Sequence, residues 1–469
     1  MDAPQPPSRD PALRPALVAA LLAAAWVLAH LDQPLVEDSL FWWVPQGLLI
    51  AEQGPLLRPA GALPEALLAG LSAQTTPPQW ADGIPDYAHP PLWFAWLGLF
   101  VRLFGPHIEA IHLACLLPAM LAASGFAVLG QRLGGRWSGL ALFGLPPFLA
   151  QLLRPELDLP LLAVTPWALL ALHHGRWGLF ALLGALAPWC KEPGVLLLAP
   201  ALARAWDERR WRPEALAPLA SLGAWALLHG APAQPEHLPA SLTAWAADLY
   251  WSLRIVFWEQ GRGLLLVGGL LLGGRALLRP ALRPALVQIA VWVGFFSVVG
   301  FFVSRTPGAA STHVRYFLPG MALAAVLLAG RHPYLALAGL FYLSARSPFG
   351  PEASLFGLHQ AQAERAAAPQ IAAQLEAGDR VWVGSYQAAA LSQPWAGVVE
   401  APLTGFFVYG PDTQPGALSP GDRLWQAAYG EPLGLLGRDL PLRCEDPLAV
   451  GEAWVRVCTV QDAGAADPG

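Results

Sequence analysis

Charge is scarce in this sequence. Only 13% of its 469 residues are Asp, Glu, Lys or Arg, about half the share that a soluble domain carries, which excludes an ordinary solvated surface. Lysine is scarcer still: Lys191 is the one lysine among 28 basic residues. There is no basic run with interleaved aromatics and no glycine-rich loop before a Lys-Ser/Thr pair, so nucleic acid is not an expected partner and P-loop nucleotide hydrolysis is excluded. Four cysteines are too few for a disulfide scaffold, and no Cys/His cluster has zinc spacing.

What the sequence does have is apolar residues, 55% of the total, and they come in blocks. Blocks nearly free of internal charge and close to bilayer length read as membrane spans. They fall near 13–31, 108–130, 137–152, 158–173, 178–190, 194–206, 215–230, 263–275, 284–303, 316–330 and 334–346. This predicts an all-α polytopic membrane protein of about eleven transmembrane helices. No small-residue cleavage pattern follows His30, so the first block reads as a retained helix. No internal repeat suggests a transporter built from two related halves.

Arginine sets the orientation, because short cytoplasmic loops are enriched in it. Arg14, Arg132, Arg176, Arg204, Arg209, Arg210, Arg212, Arg279, Arg283 and the other flanking arginines fall on one side only if Pro91–Phe104 does not cross. That stretch would span about 21 Å as a helix against a core of about 30 Å. It reads instead as an interfacial or re-entrant helix, with Trp93, Trp96 and Arg102 at the boundary. The first loop, 32–107, the Arg154 and Lys191 junctions, the 231–260 loop and Arg305 to Arg315 then share the extracytoplasmic side.

After Arg346 the character changes. Residues 347–469 read as a small α+β extracytoplasmic domain, with a helix at 361–376 and strands at 381–383 and 454–457. Cys444 and Cys458 lie in it, either bridged, as an oxidising compartment allows, or as two ordinary buried thiols.

Several polar groups interrupt this apolar background. Glu37-Asp38 follows the first helix, where a low-dielectric surface raises a carboxylate's pKa and makes it a usable general base; a solvated loop start is the plainer reading. Asp82, Asp86, Tyr87 and His89 precede Pro90-Pro91, which start the interfacial helix. There His89 either donates to an anionic group beside a helix N-terminus or serves the fold alone. Arg154-Pro155-Glu156-Leu157-Asp158 places two carboxylates and a guanidinium at a helix junction, the ordinary reading being an ion pair that ends two helices. Lys191, in a chain that otherwise uses arginine, suits a phosphate oxygen as a compact ammonium. Its replacement by alanine is expected to weaken ligand binding more than folding. Arg305, His313 and Arg315 add positive charge at the start of a late helix and could hold a lipid phosphate or anchor the helix end.

Taken together, these segments resemble the GT-C membrane glycosyltransferases, in the branch of protein O-mannosyltransferases and lipid A aminoarabinose transferases, the glycosyltransferase family 39 type. The resemblance rests on an ordered set over about residues 10–330: Glu37-Asp38 after the first helix; Glu52-Gln53-Gly54-Pro55; His89-Pro90-Pro91-Leu92-Trp93 with Leu103-Phe104-Gly105; Arg154-Pro155-Glu156; Lys191-Glu192-Pro193-Gly194; and Arg315-Tyr316-Phe317-Leu318-Pro319. It implies transfer of one sugar, a hexose or pentose, from a polyprenyl-phosphate donor to an acceptor on the extracytoplasmic face, usually with inversion. Asp38 would activate the acceptor hydroxyl with Glu37 beside it. His89, Lys191 and Arg315 would steady the carrier phosphate, with Asp86, Arg154, Glu156, Glu192 and Tyr316 completing the substrate site. No metal is then obligatory, although a divalent ion remains possible. Membrane lipid is a partner, and the acceptor is protein, lipid or glycan. The arginine-rich usage points to a bacterial inner membrane. The segment Pro59 to Pro78 and residues 347–469 depart from the family pattern and leave acceptor recognition and the C-terminal domain's role open. The alternatives are a flippase, transporter or polymerase of polyprenyl-linked glycans, or a non-enzymatic assembly subunit.

Overall fold

The structure is a computed structural model that describes residues 12–35, 39–53, 89–133, 135, 137–229, 241, 243, 246, 279–298, 314–329, 356–409, 417–429, 442–450 and 453–462. The chain divides into two compact units.

The first unit, Met1–Ala29, Ala88–Trp93 and Leu113–Ala353, is helical throughout its described residues. Its helices invert the pattern of a soluble bundle. In Leu13–Leu28 the buried face is Pro15, Ala16, Ala19, Ala20, Ala23 and Val27, while Leu13, Leu17 and Leu21 face outward. Small residues inside let backbones approach, and large apolar residues outside suit lipid and would be costly in water. Trp206 and Trp211 are exposed among arginines, the usual setting of an interfacial aromatic belt.

The helix Ile108–Leu133 has 26 residues and is long and apolar enough to cross a bilayer. Pro147–Leu153 and Asp158–His173 form a second apolar pair, bent by 114° at the intervening Arg154–Leu157. The prolines explain the break: Pro155 cannot donate a helical hydrogen bond, and it disfavours helical backbone at Arg154.

Several helices have limits close to those of expected spans, among them Asp158–His173, Trp177–Cys190 and Val314–Ala329, and Arg283–Val298 starts where the 284–303 block was expected to start, residues 299–303 lying outside the described residues. Others are not continuous α-helices. Residues 137–152 divide into a 3-10 segment, Ser138–Gly144, and a helix, Pro146–Leu153. Glu192–Leu197 and Pro213–Leu216 are 3-10 turns leading into Leu198–Asp207 and Ala217–His229. The expected spans 263–275 and 334–346 lie outside the described residues.

The second unit, His30–Tyr87, Phe94–His112 and Ser354–Gly469, combines chain from the first loop with the C-terminal residues. The helix expected over Pro91–Phe104 is present as Leu92–Phe104. Its second-unit part crosses Val44–Gln53 closely, since a Cβ on Gly98 would sit 2.8 Å from the Gly47 carbonyl oxygen.

The C-terminal residues form an α+β domain. Helix Phe356–Glu376 packs on strands β1 (Val381–Gly384), β3 (Arg423–Tyr429), β5 (Leu448–Val450) and β6 (Ala453–Val460). With β2 (Phe407–Tyr409) and β4 (Leu442–Cys444) the sheet order is β2-β1-β3-β6-β4, and β5 also pairs with β6. β1 runs parallel to β2 and β3, while β6 is antiparallel to β3, β4 and β5. The core gathers Trp382, Leu418, Leu424, Cys458 and Val460. Trp382 donates to buried Asp422 at 2.8 Å, so its indole N–H is not orphaned. Cys444 and Cys458 face each other across β4 and β6 and are bridged, which decides between the two readings of that pair.

Candidate functional site

Three sequence-distant pieces of the first unit meet at one end of its helices: the Leu92–Phe104 start, the bend after Leu153, and the turn after Cys190. Local sequence builds each piece. Arg154 caps Pro146–Leu153 in extended conformation. Lys191, also extended, ends Trp177–Cys190, and Pro193 sets the first turn of Glu192–Leu197. Gly194 has to be glycine, because a Cβ there would lie 2.3 Å from the Ala187 carbonyl carbon. That contact folds the turn back onto the helix it follows, holding Lys191 and Glu192 at the helix end.

Side chains join the pieces. Lys191 Nζ donates to Asp158 Oδ1 at 2.6 Å, with both side chains under one-tenth exposed. A guanidinium nitrogen of Arg154 lies 3.6 Å from Glu156 Oε1, each side chain 1% exposed. That separation is an ion pair rather than a hydrogen bond. Gln151 donates to the other Glu156 oxygen at 3.4 Å. His89 Nδ1 lies 2.9 Å from Glu192 Oε1, in a half-buried pair at the margin. Trp93 donates to the Pro155 carbonyl at 3.0 Å, tying the helix start to the bend.

The structure thus brings together His89, Arg154, Glu156, Lys191 and Glu192 of the expected site residues. Arg315 and Tyr316 fall in the first turn of Val314–Ala329, a helix that packs against both arms of the bend. Glu37, Asp38 and Asp86 lie outside the described residues.

Sequence reasoning passed over two members. Asp158 stands in the sequence only as the end of the Arg154–Asp158 motif, yet it is the partner of Lys191. Gln151 was signalled by being the only strongly polar residue in an otherwise apolar block. The pairing also changes the expectation for Lys191. Its removal would leave a buried carboxylate without its counter-ion, so folding as well as binding would suffer.

Electrostatically the cluster is balanced rather than strongly cationic. Lys191 faces Asp158, Arg154 faces Glu156 and His89 faces Glu192, so an incoming phosphate would compete with carboxylates already in place. Such a cluster can exchange partners: an ammonium with three donors can keep one carboxylate while reaching an anion. Among the described residues, no three His, Cys, Asp or Glu side chains converge to hold a metal ion.

No family model matches the sequence, and no curated protein matches it. Solved structures do. The chain is similar to ArnT from Cupriavidus metallidurans bound to undecaprenyl phosphate, with a TM-score of 0.52 and 15% identity, over 97% of this chain and 99% of that one. The apo state of the same protein gives a TM-score of 0.50 over the same shares. The chain therefore shares the mostly helical, GT-C-type membrane fold of that ArnT.

Proposed function

We propose that this protein transfers a single sugar from a polyprenyl-phosphate donor to an acceptor on the extracytoplasmic face of a bacterial inner membrane. The observation that carries the reading is the full-length likeness of fold to a transferase solved with undecaprenyl phosphate bound. The buried cation-carboxylate cluster at one end of the helices supports it, because ionisable groups inside a membrane fold are costly and are kept for function.

In this reading Asp38, with Glu37 beside it, takes the proton from the acceptor hydroxyl. The hydroxyl oxygen forms the new bond to the anomeric carbon as the bond from that carbon to the phosphate oxygen breaks, with inversion. The departing polyprenyl phosphate leaves as a monoester and gains negative charge as it goes. Lys191, Arg154, His89 and Arg315 would stabilise that charge most where it is greatest, in the transition state. Asp158, Glu156 and Glu192 would keep those cations oriented and neutralised until the phosphate arrives, while Asp86 and Tyr316 would complete the donor site.

The test is transfer of label by detergent-purified protein from a panel of radiolabelled polyprenyl-phosphate hexoses and pentoses to membrane extract. Wild type should transfer from one donor class, and Asp38→Asn should insert and fold normally but transfer nothing. Full activity in Asp38→Asn would remove the assigned base. Failure of wild type with every donor would favour a flippase or an assembly role.

A further inference from the structure

The C-terminal domain has no role in the chemistry above, yet within its own unit it grips one short piece of the first loop. We infer that this domain is a positioning clamp for Asp32–Leu35, the chain that leads into Glu37-Asp38, and that Arg365 is its central positioning residue. The catalytic half of this inference rests on the transferase reading; the structural half does not.

Three of these four residues are held by groups distant in sequence. The Leu35 amide donates to the Ala396 carbonyl at 2.9 Å. Gln362 Nε2 donates to Gln33 Oε1 at 2.9 Å, and the Gln33 carbonyl lies 2.7 Å from His112 Nε2. Arg365 gathers the rest: its Nε donates to the Gly397 carbonyl at 2.7 Å, one terminal nitrogen to the Asp32 carboxylate at 3.1 Å, and the other to the Asp32 carbonyl. Gln33 and Leu35 are almost fully buried. Gly397 is left-handed at φ 79° and could not carry a Cβ without meeting Ile108 at 2.9 Å.

A fortuitous surface contact would join exposed side chains. Here the domain binds backbone, which fixes the path of the chain whatever its side chains do. The planar guanidinium holds its donors in a rigid fork that reaches three separate acceptors in fixed directions, a geometry that a compact, freely rotating ammonium lacks. The Asp32 carboxylate is itself largely exposed, so the grip on carbonyls matters more than that ion pair. Asp38 follows Leu35 by three residues and so stays within about 11 Å of it, whatever the chain's course. Misplacing a base by about 1 Å can cost on the order of 100-fold in rate, so a clamp this close governs catalysis without touching substrate.

Hydrogen exchange on the full-length protein in detergent tests the clamp without any substrate. In Arg365→Ala, amides of residues 32–38 should exchange at least about tenfold faster, while those of β3 and β6 keep wild-type protection. Gln362→Ala should do the same more weakly, and Asp32→Asn should do little. Arg365→Lys should recover only part of the protection. In the transfer assay, Arg365→Ala should lower kcat and leave the donor KM unchanged. Wild-type exchange at 32–38 in both Arg365→Ala and Gln362→Ala would overturn the clamp, as would loss of protection across the whole domain in both. If the wild-type protein proves to transfer no sugar, the exchange result still decides the clamp.

Discussion

The two ends of the first unit's helices hold similar ion pairs in opposite surroundings. At the end where Asp158–His173 begins, Lys191–Asp158 and Arg154–Glu156 are buried. At the far end, where that helix finishes and Trp177–Cys190 starts, Glu208 accepts from Arg204 at 3.0 Å, Arg212 at 3.1 Å and the buried Trp177 at 3.2 Å, with the Glu208, Arg204 and Arg212 side chains within reach of water. Arg283 pairs with Asp207 nearby, half exposed. Solvent screens the second set, so each pair is worth no more than about 1 kcal/mol. The first set has no such screening, and its partners depend on one another. The far end anchors helices among arginines, whereas the buried end holds its charges away from solvent.

The sharpest way to break the comparison is Lys191→Ala. It should destabilise the detergent-solubilised protein by about 3–5 kcal/mol, read as a lowered unfolding temperature, because Asp158 is left buried and unpaired. Lys191→Met with Asp158→Leu should regain most of that stability yet remain inactive in transfer. An unchanged unfolding temperature in Lys191→Ala would mean that the ammonium is not needed to hold the buried carboxylate. Arg154→Met should cost somewhat less, about 3 kcal/mol, since Glu156 retains Gln151; its signature is that added salt does not diminish the loss. Arg212→Ala at the far end should cost less than about 1 kcal/mol, and the difference from wild type should shrink in high salt.

The smallest effect is the pH dependence at that far end. Partial burial pushes the Glu208 carboxyl up, but hydrogen bonds from Arg212, Trp177 and Arg204 and the Arg204 charge outweigh it, and the net shift is downward. A carboxylate whose folded pKa is depressed stabilises fully above its ordinary value of 4.5 and loses that contribution as pH falls through the lower folded value. The gap in unfolding temperature between wild type and Arg212→Ala should therefore be constant at neutral pH and close in acid below that value. A gap that instead widened there would reverse the assignment.

Much of this arrangement was legible in the chain, for identifiable reasons. Asp158–His173 and Trp177–Cys190 are bounded by polar residues and run apolar between them, so composition alone marked their ends. The Val381 and Trp454 strands were marked by runs of valine and tryptophan between Pro/Gly/Asp clusters. Ser138–Gly144 and Glu192–Leu197 were not separable from α-helix, because an apolar run has the same appearance whether its hydrogen bonds close at three residues or four. At the site, His89, Arg154, Glu156, Lys191 and Glu192 stood out as polar residues in apolar surroundings. Their pairing did not: Asp158 is 33 residues from Lys191 and looked like the last member of a local motif. The tie between the first loop and the C-terminal domain was equally hidden, since Arg365 and Asp32 are 333 residues apart and each is unremarkable alone.

By itself the sequence determined the solvent of this protein, the limits of many of its helices and the ends to which its charges go, because hydropathy and helix breaking act residue by residue. Only the tertiary structure decided which charge meets which, that Lys191 is committed to a buried carboxylate, and that the C-terminal domain grips the chain before Glu37-Asp38. Those outcomes follow from distances of a few ångströms between residues far apart in the chain, where Coulomb and hydrogen-bond energies fall off too steeply for any local pattern to fix them.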